Sequence, residues 1–178
     1  MKISILLPYK ENFSPEYAGA VSLFVKDTTK ISTYKKRITV YGNTDYKRRY
    51  NINYKNLNLK KKFLNSTSKI YISEFLNNEI KYPSDLIEVH NRPAYVKPIY
   101  EKLKKNIILY YHNDPLSMSG SQSVNERKYL LNKCKSIIVI SEWIKKRLLK
   151  DLDANDDHLQ KIFVIPHSTN KINNTNLI

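Results

Sequence analysis

Short apolar runs separated by polar, turn-forming stretches set the rhythm of this chain. Ile3–Leu7, Ile38–Tyr41, Asp85–Val89, Asn106–Tyr111, Ser136–Ile140 and Lys161–Ile165 are rich in Ile, Val, Leu and Tyr and too short for ordinary helices. Runs of this kind, bounded by turn chemistry, predict strands buried on both faces, as in a parallel sheet. Between them the apolar spacing changes to that of helices. Val21, Phe24, Val25, Thr28 and Ile31 predict a helix over Gly19–Tyr34. Ile70, Phe75, Leu76 and Ile80 give a partial apolar face to a helix over Ser66–Glu79. Pro93 can open a helix over Ala94–Lys105, with Pro98 delaying or kinking it. Asn125 is placed to cap a helix that runs through Lys133, and Ser141 to cap Glu142–Leu149. Asp45–Lys62 reads as a weak strand or an extended loop, and Asp151–Gln160 as a loop. Strand and helix alternate throughout, so the fold class is α/β with a parallel sheet flanked by helices.

Three of the four histidines stand where an apolar run stops: His90 after Leu86–Val89, His112 after Ile107–Tyr111, and His167 after Ile162–Pro166. Ligands of open parallel sheets bind beyond the carboxyl ends of the strands. Three strands are therefore expected to deliver imidazoles to one rim. Glu88, inside its strand, is either paired or aimed into the cleft, and Tyr110 and Tyr111 are expected in the core. Histidine is a common zinc ligand, but the chain has no His-x-His pair, no His-Glu-x-x-His and no cysteine cluster. Asp151-Leu152-Asp153 matches an Asp-x-Asp pattern, yet lies in a loop at the far end of the sheet. No metal site is expected.

Composition adds three constraints. A length of 178 residues suits one domain with a sizeable core. No apolar run approaches a membrane span, and the segment Met1–Pro8 reads as a first strand and not as a secretory signal. The one cysteine, Cys134, excludes a disulfide within the chain, fits a reducing cytoplasm and reads as a packed small hydrophobe. The net charge of +15 gathers in clusters such as Lys35-Lys36-Arg37 and Lys145-Lys146-Arg147. Such clusters favour anionic partners: nucleic acid, anionic lipid or phosphorylated substrates. With three glycines there is no Gly-x-Gly-x-x-Gly and no Walker loop, so a complete nucleotide site on this chain is not expected.

Five segments carry a likeness to a known family. They are Ile3-Ser4-Ile5-Leu6-Leu7-Pro8 with the loop to Gly19; Asp85-Leu86-Ile87-Glu88-Val89-His90; Leu109-Tyr110-Tyr111-His112-Asn113-Asp114; Ile137-Ile138-Val139-Ile140-Ser141; and Lys161-Ile162-Phe163-Val164-Ile165-Pro166. In this order they resemble the N-terminal, acceptor-side domain of GT-B glycosyltransferases of the family-4-like group. The resemblance implies a Rossmann-like parallel sheet over residues 1–170, half of a GT-B fold. Residues 171–178 would be a polar tail or the start of an interdomain linker, with the C-terminal donor domain absent. It implies retaining transfer from a nucleotide-sugar, as co-substrate and with no other cofactor, to a cell-envelope glycan or lipid-linked acceptor. By that resemblance His112 faces the reacting sugar and the Gly19 loop approaches the diphosphate. His90, Asn91 and Arg92 line the acceptor side, Arg92 being suited to grip a phosphate or carboxylate. Asn113, Asp114, Ser141, His167 and Ser168 complete the rim.

The chain departs from the family at Ala18-Gly19, where Gly-Gly is usual, and at His167-Ser168-Thr169-Asn170, where Asn-Gly-x-Asp is usual. It has no Glu-x7-Glu pair. The donor domain is therefore expected on a separate chain or missing from a truncated gene. The expected location is cytoplasmic, with the basic segments free for peripheral contact with the inner face of the membrane. The competing reading is a non-catalytic basic module that binds a phosphorylated glycan or nucleic acid, and a third is a metal hydrolase built on the histidines. Aromatic residues beside basic ones, as in Tyr46-Lys47-Arg48-Arg49-Tyr50, suit single strands, but no helix-turn-helix or RNA-recognition signature is present, which disfavours nucleic acid.

Overall fold

The computed structural model describes residues 1–57, 59 and 66–167. Among the described residues seven strands form one sheet: β1 (Ile3–Leu6), β2 (Ile38–Gly42), β3 (Tyr54–Asn56), β4 (Leu86–His90), β5 (Asn106–Tyr111), β6 (Ser136–Val139) and β7 (Ile162–Val164). Their spatial order is β3-β2-β1-β4-β5-β6-β7, and every pairing is parallel. The helices are α1 (Ala20–Ile31), α2 (Thr67–Lys81), α3 (Val96–Leu103), α4 (Val124–Lys133), α5 (Glu142–Leu149) and α6 (Asp156–Gln160). From β1 the chain winds one way to β2 and β3, then returns and winds the other way from β4 to β7. The switch point therefore falls between β1 and β4, where an open α/β sheet leaves a crevice.

Alternation along each strand divides the core in two. Ile3, Ile5, Ile38, Val40 and Leu86 face α1, which contributes Val21 and Val25. Leu6, Ile87, Val89, Leu109, Tyr111, Ile137 and Val139 face the opposite way and pack against α2 to α5. Two-sided burial explains why the strands read as apolar runs and not as alternating ones. Cys134 is buried in the second layer, and burial pushes its thiol up to about 12, so it serves as packing and not as a nucleophile.

Element boundaries depart from expectation where side-chain capping decides. The cap of α4 is Ser123 and not Asn125: Ser123 and Glu126 form a reciprocal capping box, which satisfies two backbone donors at once. Pro98 does no harm because it falls in the first turn of α3, where no intrahelical N–H bond is lost; Pro93 opens a separate single turn ahead of it. Within 151–160 a short helix, α6, forms under an Asn155 cap. The ambiguous stretch after β2 supplies the edge strand β3. Ile31 and Ile80, counted as apolar-face positions, are exposed. Gly120 is required: its φ is 90°, and a Cβ there would meet the Ala94 backbone nitrogen at 2.4 Å.

Candidate functional site

Strands β4 and β5 are in register His90 against Tyr110, so His90 and His112 leave the sheet side by side. The residue after β4, Asn91, makes this possible. It takes a left-handed turn (φ 54°), which asparagine tolerates better than most residues, and its Oδ1 accepts the His112 backbone N–H at 3.2 Å. The segment after β7 brings in His167. The three rings form a line: His90 Nδ1 is 3.1 Å from His112 Nε2, and His112 Nδ1 is 2.8 Å from His167 Nε2. At the inner end Glu88 Oε2 lies 3.6 Å from His90 Nε2. Tyr110 stacks on His90 with ring centres 4.4 Å apart. Phe24 of α1 closes the cluster from above, 4.7 Å from His167 and 5.2 Å from His112.

One choice of tautomer suits all these contacts. If each Nε2 carries the hydrogen, His167 donates to His112, His112 donates to His90, and His90 points its N–H at the Glu88 carboxylate. The outermost Nδ1, on exposed His167, then has no partner among the described residues. At His112 and His167 the surroundings favour the neutral ring. Burial, then the neighbouring imidazoles His90 and His167, lower the His112 value to about 3. Burial and His90 also lower His167. The line is not a convergent ligand set, because both nitrogens of His112 face other rings; among the described residues no three candidate ligands could hold a metal ion.

The remaining predicted positions separate. Asp114 is drawn to α5, where Arg147 binds it through Nε and Nη2, and it also accepts the Leu116 N–H. Its carboxyl is held below the usual range, chiefly by the hydrogen bond from Arg147. Ser141 caps α5 by accepting the Ile144 N–H. Asn113 is exposed. Arg92 folds back, donating Nη1–H to the Asn91 carbonyl at 2.8 Å. Ser168 and residues 171–178 lie outside the described residues. Gly19 begins α1 without a side-chain cap of its own. The Glu11 carboxylate fills that place: Oε1 accepts the Ser22 N–H at 3.0 Å and sits where a Cβ on residue 19 would be.

Sequence reasoning missed a second part of the rim. A cavity of about 540 Å³ opens over the carboxyl ends of β1, β2 and β3, lined by Tyr9, Lys10, Asn12, Asn43, Asp45 and Asn56. Its amides are pinned: Asn56 Oδ1 accepts from the Thr44 N–H and the Tyr54 hydroxyl, and Asn43 Nδ2 donates to the Leu57 carbonyl. Asparagine abounds in this chain, so no single one stood out; only topology gathers these three.

No family model and no curated protein matches the sequence. Solved structures do share the fold. Anabaena HepE in complex with UDP-glucose superposes with a TM-score of 0.64 at 12% identity, over 93% of this chain and 44% of that one. WaaB, a lipopolysaccharide outer core galactosyltransferase, gives 0.65 at 14%, over 95% and 46%. The UDP-GlcNAc 2-epimerase of Methanocaldococcus jannaschii gives 0.59 at 16%, over 92% and 45%. The chain spans less than half the length of each of these proteins. It has the Rossmann-like half of a GT-B-like fold, at identities that carry the fold and not an activity.

Proposed function

We propose that this chain is the acceptor-side half of a GT-B glycosyltransferase, family-4-like, that moves a sugar from a nucleotide-sugar to a cell-envelope glycan or lipid-linked acceptor. The observation that carries the reading is the histidine line at the switch-point rim, next to the amide-lined cavity. Amides both donate and accept, which suits sugar hydroxyls, and Tyr9 adds an aromatic ring to the wall. Likeness to a protein solved with UDP-glucose and to a lipopolysaccharide galactosyltransferase supports the donor and acceptor classes.

In this reading the outermost Nδ1 of His167 accepts the hydrogen bond of a sugar hydroxyl. His112 and His90, backed by Glu88, hold that tautomer. Direct contact between His112 and the reacting sugar requires Phe24 to swing aside, since Phe24 and two imidazoles now cover it. A donor diphosphate approaching Gly19 would take the place of the Glu11 carboxylate on the Ser22 N–H. A second domain supplies the rest of the donor site. The reaction takes place at the cytoplasmic face of the membrane, where exposed Trp143 on basic α5 suits an interfacial anchor.

Saturation-transfer NMR of the full chain with hexoses, hexosamines and uridine diphosphate tests the reading. Sugar contact that is lost in Asn12→Ala and Asn43→Ala is the expected result. If no sugar is contacted, and nucleic acid instead binds with steep salt dependence, the chain is a basic binding module of the alternative kind.

A further inference from the structure

A second cavity, of about 430 Å³, lies at the opposite end of the sheet, under the amino ends of β1, β2 and β4. Four cationic residues line it: Lys2 ahead of β1, Lys36 and Arg37 from the single turn ahead of β2, and Lys81 from the last turn of α2. All four residues are exposed, and among the described residues none has a carboxylate partner. A fifth cation, Lys55, stands over the Tyr82 ring that forms part of the wall.

The nearest buried carboxylate does not neutralise them. Glu79, under the floor, accepts from the Ser4 hydroxyl and from the Ser84 N–H and hydroxyl, and its counter-charge is Lys105 at 3.7 Å. Asp85, close by on the surface, is held by the Lys2 backbone N–H at 2.7 Å and lies 3.9 Å from the N-terminal amine. Like charges gathered around one concavity repel each other, and a multivalent anion seated among them removes that repulsion while gaining charge-assisted hydrogen bonds. The turn that carries Lys36 and Arg37 is fixed by the Arg37 N–H to Tyr34 carbonyl bond at 2.7 Å, so the backbone from which these two cations project is set.

We propose that this cavity binds a phosphate-bearing ligand, at a site separate from the histidine rim. The shared chemistry is a phosphate or diphosphate group, whose source is either a soluble phosphate compound or an anionic lipid headgroup. The binding does not depend on the glycosyltransferase reading.

The test uses the full chain, pyrophosphate, and phosphatidylcholine vesicles with and without phosphatidylglycerol. Lys36→Gln/Arg37→Gln removes two cations at the cavity; Lys102→Gln/Lys128→Gln removes two exposed cations elsewhere and controls for net charge. The expected result is saturable binding that the cavity variant weakens roughly tenfold or more, as the loss of charge-assisted contacts implies, and that the control variant leaves nearly intact. Saturable pyrophosphate binding without vesicle recruitment assigns a soluble ligand. Recruitment to phosphatidylglycerol vesicles that is lost in the cavity variant assigns a headgroup. No binding to either probe, or equal weakening in both variants, overturns the proposal.

Discussion

His112 Nδ1 and His167 Nε2 lie 2.8 Å apart, although 55 positions of sequence separate the two residues. That contact ties the end of β5 to the segment after β7 and places a buried imidazole behind an exposed one. It also fixes the acid–base character of the rim, because a ring hydrogen-bonded at both nitrogens to other rings resists taking a second proton.

A first expectation concerns stability against pH. The folded value of His112, about 3, lies below its ordinary value of 6.5, so the folded state binds fewer protons than the unfolded chain. Stability from this residue is complete above about pH 6.5 and is lost as pH falls toward 3. Between pH 6.5 and 4.5, above the range of most carboxylates, the loss should be on the order of 2 kcal/mol. Urea unfolding across that window should show the slope in the wild type and a flatter curve in His112→Gln. Equal slopes in the two proteins would assign the effect to other groups.

Phe24 supplies part of the burial that lowers His112. Its ring is 5.2 Å from the His112 ring, and burial is the largest cause of the shift. In Phe24→Ala the His112 value should therefore rise toward 6.5, read from the ring nitrogen shifts in an NMR titration. If it stays near 3, the neighbouring imidazoles and not the aromatic lid keep the ring neutral.

At the start of α1, Glu11 does work that the helix's own cap residue does not. Glu11→Ala should destabilise the protein by about 1 kcal/mol, the usual value of a helix-start acceptor for an N–H group and the macrodipole. Gly19→Ala should cost a similar amount, because its Cβ would stand 2.1 Å from Glu11 Oε1 and push the carboxylate off the Ser22 N–H. The double variant should then cost little more than either alone. Additive costs in a denaturation cycle would refute this link.

The strand ends were readable in the sequence because two-sided burial leaves continuous apolar runs, and a histidine that breaks such a run is conspicuous. That His90, His112 and His167 share one rim followed from parallel topology; the contact of His167 with His112 did not, because β6 lies between β5 and β7. What the sequence hid depends on side-chain geometry. Ser141 caps α5 as its place ahead of Glu142 suggested, but nothing in the sequence pointed to Arg147, which holds the Asp114 side chain. Tyr110 was expected in the core with Tyr111, yet the pleat puts it against His90. Phe24 looked like one more apolar-face residue of a helix; only its position in space makes it a lid.

Arg127 gives the sharpest test of the fold beneath the rim. It is 2% exposed, an uncommon burial for arginine, and has no carboxylate partner among the described residues. Its guanidinium instead gathers three carbonyls: Nη1 donates to Ser121 and Gln122, and Nη2 to Lys150. This joins the loop after β5 to the end of α5, the two segments that also share the Asp114–Arg147 pair. Removing the side chain leaves those carbonyls without their donor and opens a cavity, so Arg127→Ala should lose about 2–4 kcal/mol in urea unfolding. Arg127→Lys should recover little, since a single ammonium, which ends one atom short of the guanidinium's terminal nitrogens, cannot span the three carbonyls that the planar fork reaches. Near-complete recovery with lysine would show that charge alone, and not the fork, holds the two segments together.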